Sequence, residues 1–159
     1  GDSMWSPQIN LGMSVLIPES YVEDLPLRLS LYRRAAGLTV DADLEGFAAE
    51  LVDRFGPSPI EVEHFIATLR IKAVCKGAGI ARLDAGPKGI VLAFKNNKFA
   101  NPTALIDHIA KHTGRIKLRG DQTLFIAAET KDDAERLTIA SRIAAEIAAL
   151  LPQPATLAA

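Results

Sequence analysis

The chain has 159 residues, 48% of them hydrophobic and 23% charged, with 18 Lys+Arg against 19 Asp+Glu and a formal net charge of −1. That length suits one domain, able to bury roughly 68–70% of its unfolded surface, and the composition excludes a disordered tail, a collagen-like repeat and a disulfide scaffold. The near-neutral balance also argues against a domain whose main task is to grip nucleic acid, which normally shows a basic excess.

Gly1, Asp2, Ser3 and Met4 read as a cleavage scar, residues 5–12 as a lead-in, 13–151 as a single domain and 152–159 as a loose tail. Residues 13–17 are an apolar run stopped by Pro18, the pattern of a buried strand. Asp24 is placed to cap a helix with Pro26 in its first turn. Leu25, Leu29, Tyr32 and Ala36 recur at helical spacing as its inner stripe, and Gly37 stops it. A second helix starts near Asp41, turns Leu44, Phe47, Leu51 and Phe55 inward, and ends at Gly56-Pro57. Ser58-Pro59-Ile60-Glu61 has the form of a capping box with Pro at the first helical position. The third helix it opens carries Val62, Phe65, Ile66, Leu69, Ala73 and Val74 on its apolar face. Cys75, the sole cysteine, lies near that face and reads as a small buried hydrophobe, since no base accompanies it.

The period then changes. Residues 80–83 and 90–94 read as strands around a loop over 84–89. Asn101-Pro102 caps a helix with Leu105, Ile106, Ile109 and Ala110 inside, closed by Gly114. Residues 115–119 and 123–127 form a second hairpin around Gly120-Asp121. Residues 130–133 open a long last helix, with Leu137, Ala140, Ala144, Ile147 and Leu151 along one face. The order is strand, three helices, two strands, helix, two strands, helix. Adjacent hairpins with helices gathered in runs predict an α+β fold with a mainly antiparallel sheet. The run over 143–151 is interrupted by Glu146 and is too short to cross a membrane, and no basic start leads into a signal-peptide core.

Few residues suggest chemistry. His108 and His112 have the four-residue spacing of metal ligands on a helix, but Ile109 stands where a zincin would need Glu, so two solvent-facing histidines are expected. Gly77-Ala78-Gly79 follows a helix and precedes a strand, the reverse of a dinucleotide site. Gly86-Pro87-Lys88-Gly89 lacks the Ser or Thr and the helix of a phosphate-binding loop. Arg115, Lys117 and Arg119 alternate on a strand and are expected to share a face, either as a modest phosphate-contacting patch or as edge-protecting charges. Glu50 and Asp53 share a face at the end of the second helix, opposite Leu51 and Phe55. Arg54 beside them suits the helix dipole. Such an acidic pair can meet arginines of a partner, although local physics alone favours a solvated helix end.

Tyr21-Val22-Glu23-Asp24, then Arg28-Leu29-Ser30-Leu31-Tyr32-Arg33-Arg34, then Glu50-Leu51-Val52-Asp53-Arg54-Phe55-Gly56 with Pro59 resemble the C-terminal domain of the bacterial transcription-repair coupling factor (Mfd) family. Gln8-Ile9-Asn10-Leu11 is similar to that family's lead into the domain, and the resemblance covers roughly residues 8–151. It implies a multidomain, ATP-driven double-stranded DNA translocase that displaces stalled RNA polymerase and recruits UvrA for nucleotide-excision repair in the cytoplasm. It implies that this terminal domain lies outside the motor, is not itself an enzyme and holds no cofactor or metal. Its implied role is autoinhibitory: it packs on the N-terminal UvrB-like module and covers the UvrA surface. By motif, Glu50, Asp53 and Arg54 match the face touching that module, and Tyr21, Asp24, Arg28 and Tyr32 match structural anchors. An accessory nucleic-acid module using Arg115, Lys117 and Arg119 is the alternative.

Overall fold

In the computed structural model, which describes residues 4–153, local capping chemistry sets the first boundary. Asp24 Oδ2 accepts the Leu27 N–H at 3.0 Å and starts α1 (Leu25–Ala36), with Pro26 in the first turn. Helix α2 (Asp41–Phe55) ends at Gly56, whose φ of 95° only glycine adopts without strain. Helix α3 (Ile60–Ala78) stops at Gly79 in the left-handed region, with its N–H bonded back to the last turn. The expected capping box at Ser58 does not form. Pro59 is the cap residue itself, and its carbonyl accepts from Val62 and Glu63, so Ser58 lies one position outside the helix. The expectations for residues 1–3 and 154–159 lie outside the described residues.

The sheet orders its strands β1-β2-β3-β5-β4: β1 (Gln8–Asn10), β2 (Ile80–Gly86), β3 (Gly89–Phe94), β4 (Ile116–Leu118) and β5 (Leu124–Ala127). All neighbours are antiparallel except β1, which pairs parallel with β2 through Gln8↔Arg82, Ile9↔Leu83 and Asn10↔Asp84. The first strand is therefore in the lead-in and not at residues 13–17. That apolar run crosses the helical layer instead, where Ile17 is buried and its N–H donates to Tyr32 Oη. The first hairpin is also tighter than expected. Pairing continues to Gly86↔Gly89, which leaves only Pro87 and Lys88 at the turn. Helix α4 (Pro102–Lys111) is capped by Asn101 Oδ1, and α5 (Asp133–Ala148) by Asp132 Oδ1 accepting the Glu135 N–H at 2.8 Å. The sheet is mostly antiparallel and the fold α+β, in the predicted element order.

Two hydrophobic clusters form around α3. Its first half supplies Val62, Phe65, Ile66 and Leu69 to a helical cluster with Leu31, Leu44, Phe47 and Leu51. Its second half supplies Ile71, Cys75 and Ala78 to a cluster between the sheet and α5, with Leu83, Ile90, Leu92, Leu124 and Ile126 opposite Leu137, Ala140, Ile143, Ala144 and Ile147. Val74, expected inside, is 36% exposed because α3 turns a different side to each cluster. In α1 the stripe is rotated: Leu31 and Ala35 are buried, while Leu25 and Leu29 are 54% and 45% exposed. Ile106 of α4 is likewise exposed. Burial pushes the Cys75 thiol up to about 12, so it stays protonated as a packing group.

Candidate partner-binding face

The end of α2 is built on aromatic supports. Tyr21 Oη donates to the carbonyls of Leu51 and Gly56, at 3.0 and 2.7 Å, and so closes the last turn. The Tyr21 ring packs against Phe55 with centroids 5.7 Å apart. Arg28 Nη1 donates to the carbonyls of Val22 and Glu23, which ties the loop before α1 to the helix. Tyr32 sets its ring edge-on to Phe65. Tyr21 thus ties the loop before α1 to the end of α2, Asp24 and Arg28 tie that loop to α1, and Tyr32 ties α1 to Ile17 and Phe65.

On that support sits a ladder of charges. Arg34, in the last turn of α1, makes a two-pronged contact with Glu50: Nη1 to Oε2 at 2.7 Å and Nη2 to Oε1 at 2.9 Å. Arg54 Nη1 reaches the same Oε2 at 2.9 Å. Both guanidiniums lie over aromatic rings, Arg34 over Phe47 at 5.3 Å and Arg54 over Phe55 at 5.0 Å. Asp53 is exposed and, among the described residues, makes no ion pair. The expected acidic pair is thus split: Glu50 is paired with arginines of its own domain, and Asp53 points its charge at solvent. Arg34 was not among the residues that spacing singled out, because it lies 16 positions from Glu50 on another helix.

The Arg34 guanidinium, and then that of Arg54, hold the Glu50 carboxyl well below the usual range, at about 2. Its folded value lies below the unfolded one, so its contribution to stability is complete above the ordinary 4.5 and is lost as pH falls toward about 2. An NMR titration of the side-chain carboxyls should place the Glu50 midpoint near the lower figure, and Arg34→Gln should move it upward. A wild-type midpoint at the ordinary value would show that the clasp does not persist in solution.

A family model described as the TRCF domain matches residues 11–105. The chain belongs to that family. The TRCF match spans α1, α2 and α3, including the charge ladder, and continues into α4. Transcription-repair-coupling factors are similar in sequence: the one from Rickettsia bellii is 38% identical over 125 residues, and that from Escherichia coli is 28% identical over 130. These alignments cover 78% and 82% of the chain, which spans only about 11% of the length of either relative. A crystal structure of the C-terminal domain of transcription-repair coupling factor superposes with a TM-score of 0.67 at 16% identity, covering 91% of this chain and 95% of that one. At that identity the likeness is one of fold.

Beyond the matched residues the structure bears on two further expectations. Of Arg115, Lys117 and Arg119, the last two lie on the side of Phe125, and Arg115 is engaged elsewhere. Arg115 lies before β4 and turns to Glu146 of α5 at 3.5 Å. Lys117 stands opposite Phe125 in register, and Arg119 lies over the Phe125 ring at 4.8 Å. His108 and His112 are half-buried, not solvent-facing, with rings 4.5 Å apart. His112 Nδ1 donates to the His108 carbonyl, while His108 Nε2 is buried with no partner among the described residues. Burial, then the neighbouring His112 charge, lowers the His108 pKa. Among the described residues no group of three His, Cys, Asp or Glu could hold a metal, and no helix is long and apolar enough to cross a membrane.

Proposed function

We propose that this TRCF domain is the regulatory, autoinhibitory C-terminal domain of a longer transcription-repair coupling factor. It docks through the face of Glu50, Asp53 and Arg54 on the N-terminal UvrB-like module of the same protein and covers the surface that UvrA uses. The whole protein is an ATP-driven translocase on double-stranded DNA in the cytoplasm, with its motor outside this chain. It displaces stalled RNA polymerase and recruits nucleotide-excision repair through UvrA. The domain itself acts by binding, without a cofactor.

The observation that carries this reading is the ordered charge ladder at the end of α2, inside the matched region of the family. An exposed Asp53 beside a fixed Glu50–Arg54 pair offers charge complementarity to a partner surface, which governs specificity and encounter rate more than raw affinity. Lys117 and Arg119, by contrast, lack the third member their alternation predicted, so nothing in the geometry favours the nucleic-acid alternative.

Glu50→Arg with Asp53→Arg tests the docking face. Binding to the N-terminal module supplied in trans should weaken at least about tenfold, since like charges across an interface are strongly unfavourable. The far-UV circular dichroism of the domain should be unchanged. In the full-length protein the same pair should raise basal UvrA binding or ATP hydrolysis. Normal docking by the double variant would remove these residues from the interface. Unchanged UvrA binding and hydrolysis would remove the clamp.

A further inference from the structure

Docking through Glu50 calls for a carboxylate able to receive a partner's cation, yet in this structure Arg34 already occupies both of its oxygens in a parallel, two-pronged contact. Arg54 shares Oε2. A second guanidinium cannot form the same fork on that carboxylate edge while Arg34 is there. We infer that Arg34 is an internal competitor for the partner's cation, holding Glu50 in the detached domain and giving way when the domain docks. This inference rests on the docking reading above and assigns its regulation.

Three features fit such an exchange. Arg34 is accessible: its side chain is 47% exposed and reaches Glu50 from the last turn of α1, so it can swing out without moving a helix. A partner's guanidinium can make the same fork on Glu50, so the exchange replaces one charge-assisted pair with an equivalent one. Asp53 is exposed and without an ion pair among the described residues, so it can meet the incoming cation before Glu50 changes hands. The ladder Arg34, Glu50, Arg54, Asp53 also alternates in sign. The fitting partner therefore presents an arginine to the Glu50–Asp53 side, and the displaced Arg34 guanidinium returns to water.

The exchange has a signature that a merely structural tie lacks. When one arginine replaces another on Glu50, that carboxylate is paired before and after, so this contact adds little salt dependence. Arg34→Gln leaves Glu50 open on Oε1. Docking of the N-terminal UvrB-like module in trans should then tighten by about two- to fivefold, from the usual strength of an exposed ion pair, and fall more steeply with added salt. Arg34→Lys keeps the charge but not the fork and should lie between the two. Equal or weaker docking by Arg34→Gln, with an unchanged salt slope, overturns the inference and makes Arg34 a structural tie or a direct contact. If Arg34→Gln proves unstable, Arg34→Lys carries the same comparison. If neither the wild type nor the variants bind the module, the docking reading itself has failed, and the exchange falls with it.

Discussion

Phe47→Ala is expected to destabilise the domain by about 3–5 kcal/mol, the range for truncating a buried aromatic. That is a large share of the roughly 5–15 kcal/mol available to a typical domain. Phe47 is 2% exposed, in the cluster with Leu31, Leu44, Leu51 and Phe65, and its ring carries the Arg34 guanidinium. The lost transfer free energy of the ring and the cost of the cavity it leaves among Leu31, Leu44, Leu51 and Phe65 add. The melting temperature should fall on the order of 10 °C. The loss should also reach the sheet. Helix α3 contributes to both clusters, so loosening the helical layer pulls a wall off the sheet layer. Trp5 lies beside the end of α3, where Lys76 Nζ donates to its carbonyl. Its fluorescence and the far-UV circular dichroism should therefore report one coincident transition. Separate transitions, or a loss below about 1 kcal/mol, would show that the two clusters fold independently or that the site repacks.

Gly89→Ala should cost about 1–3 kcal/mol, the scale of overpacking, although it adds a single methyl group. A Cβ built at Gly89 would lie 2.5 Å from the Ile126 carbonyl oxygen and 2.7 and 2.8 Å from two carbons of the Phe125 ring. The ring can tilt, but the carbonyl belongs to β5, whose pairing with β3 through Gly89↔Ala127 and Val91↔Phe125 fixes its distance. Relief therefore means parting two central strands or breaking the Arg119 stack on Phe125. Urea unfolding should show a lower midpoint with an unchanged slope. Gly46, with nothing within 4 Å of its built Cβ, is the control: Gly46→Ala in the α2 interior should be neutral or stabilising. A midpoint at the wild-type value for Gly89→Ala would mean that the strand contact is looser than this geometry.

What was legible in the sequence was what a few neighbouring residues settle. Asp24, Asn101 and Asp132 each accept an N–H three residues on, so their helices began where expected. Leu44, Phe47 and Leu51 follow from the pattern alone because α2 buries only one side and its other side is plainly polar. The three motifs around Tyr21, Arg28 and Glu50 carry the likeness to the family, and the TRCF match spans all of them.

The same local rules failed where two answers were equally good. Helix α1 has leucine at 25, 27, 29 and 31, so two stripes compete; contact with α2, the 13–17 run and α3 selects the one through Leu31 and Ala35. Residues 13–17 look more like a strand than Gln8–Asn10, but only the latter meet the free edge of β2. Ser58 had a capping motif, yet the helix began one residue too late to use it.

Local sequence is enough for the α+β class, the order of helices and hairpins and the presence of charged residues at the end of α2. How those charges pair depends on packing between helices. Arg34 and Glu50 are brought together by the packing of α1 on α2, and Arg115 and Glu146 by the approach of α5 to the β4 edge. Capping and periodicity act within a turn or two of chain, whereas a charge–charge contact depends on separation in space, and only the packed helices set that separation.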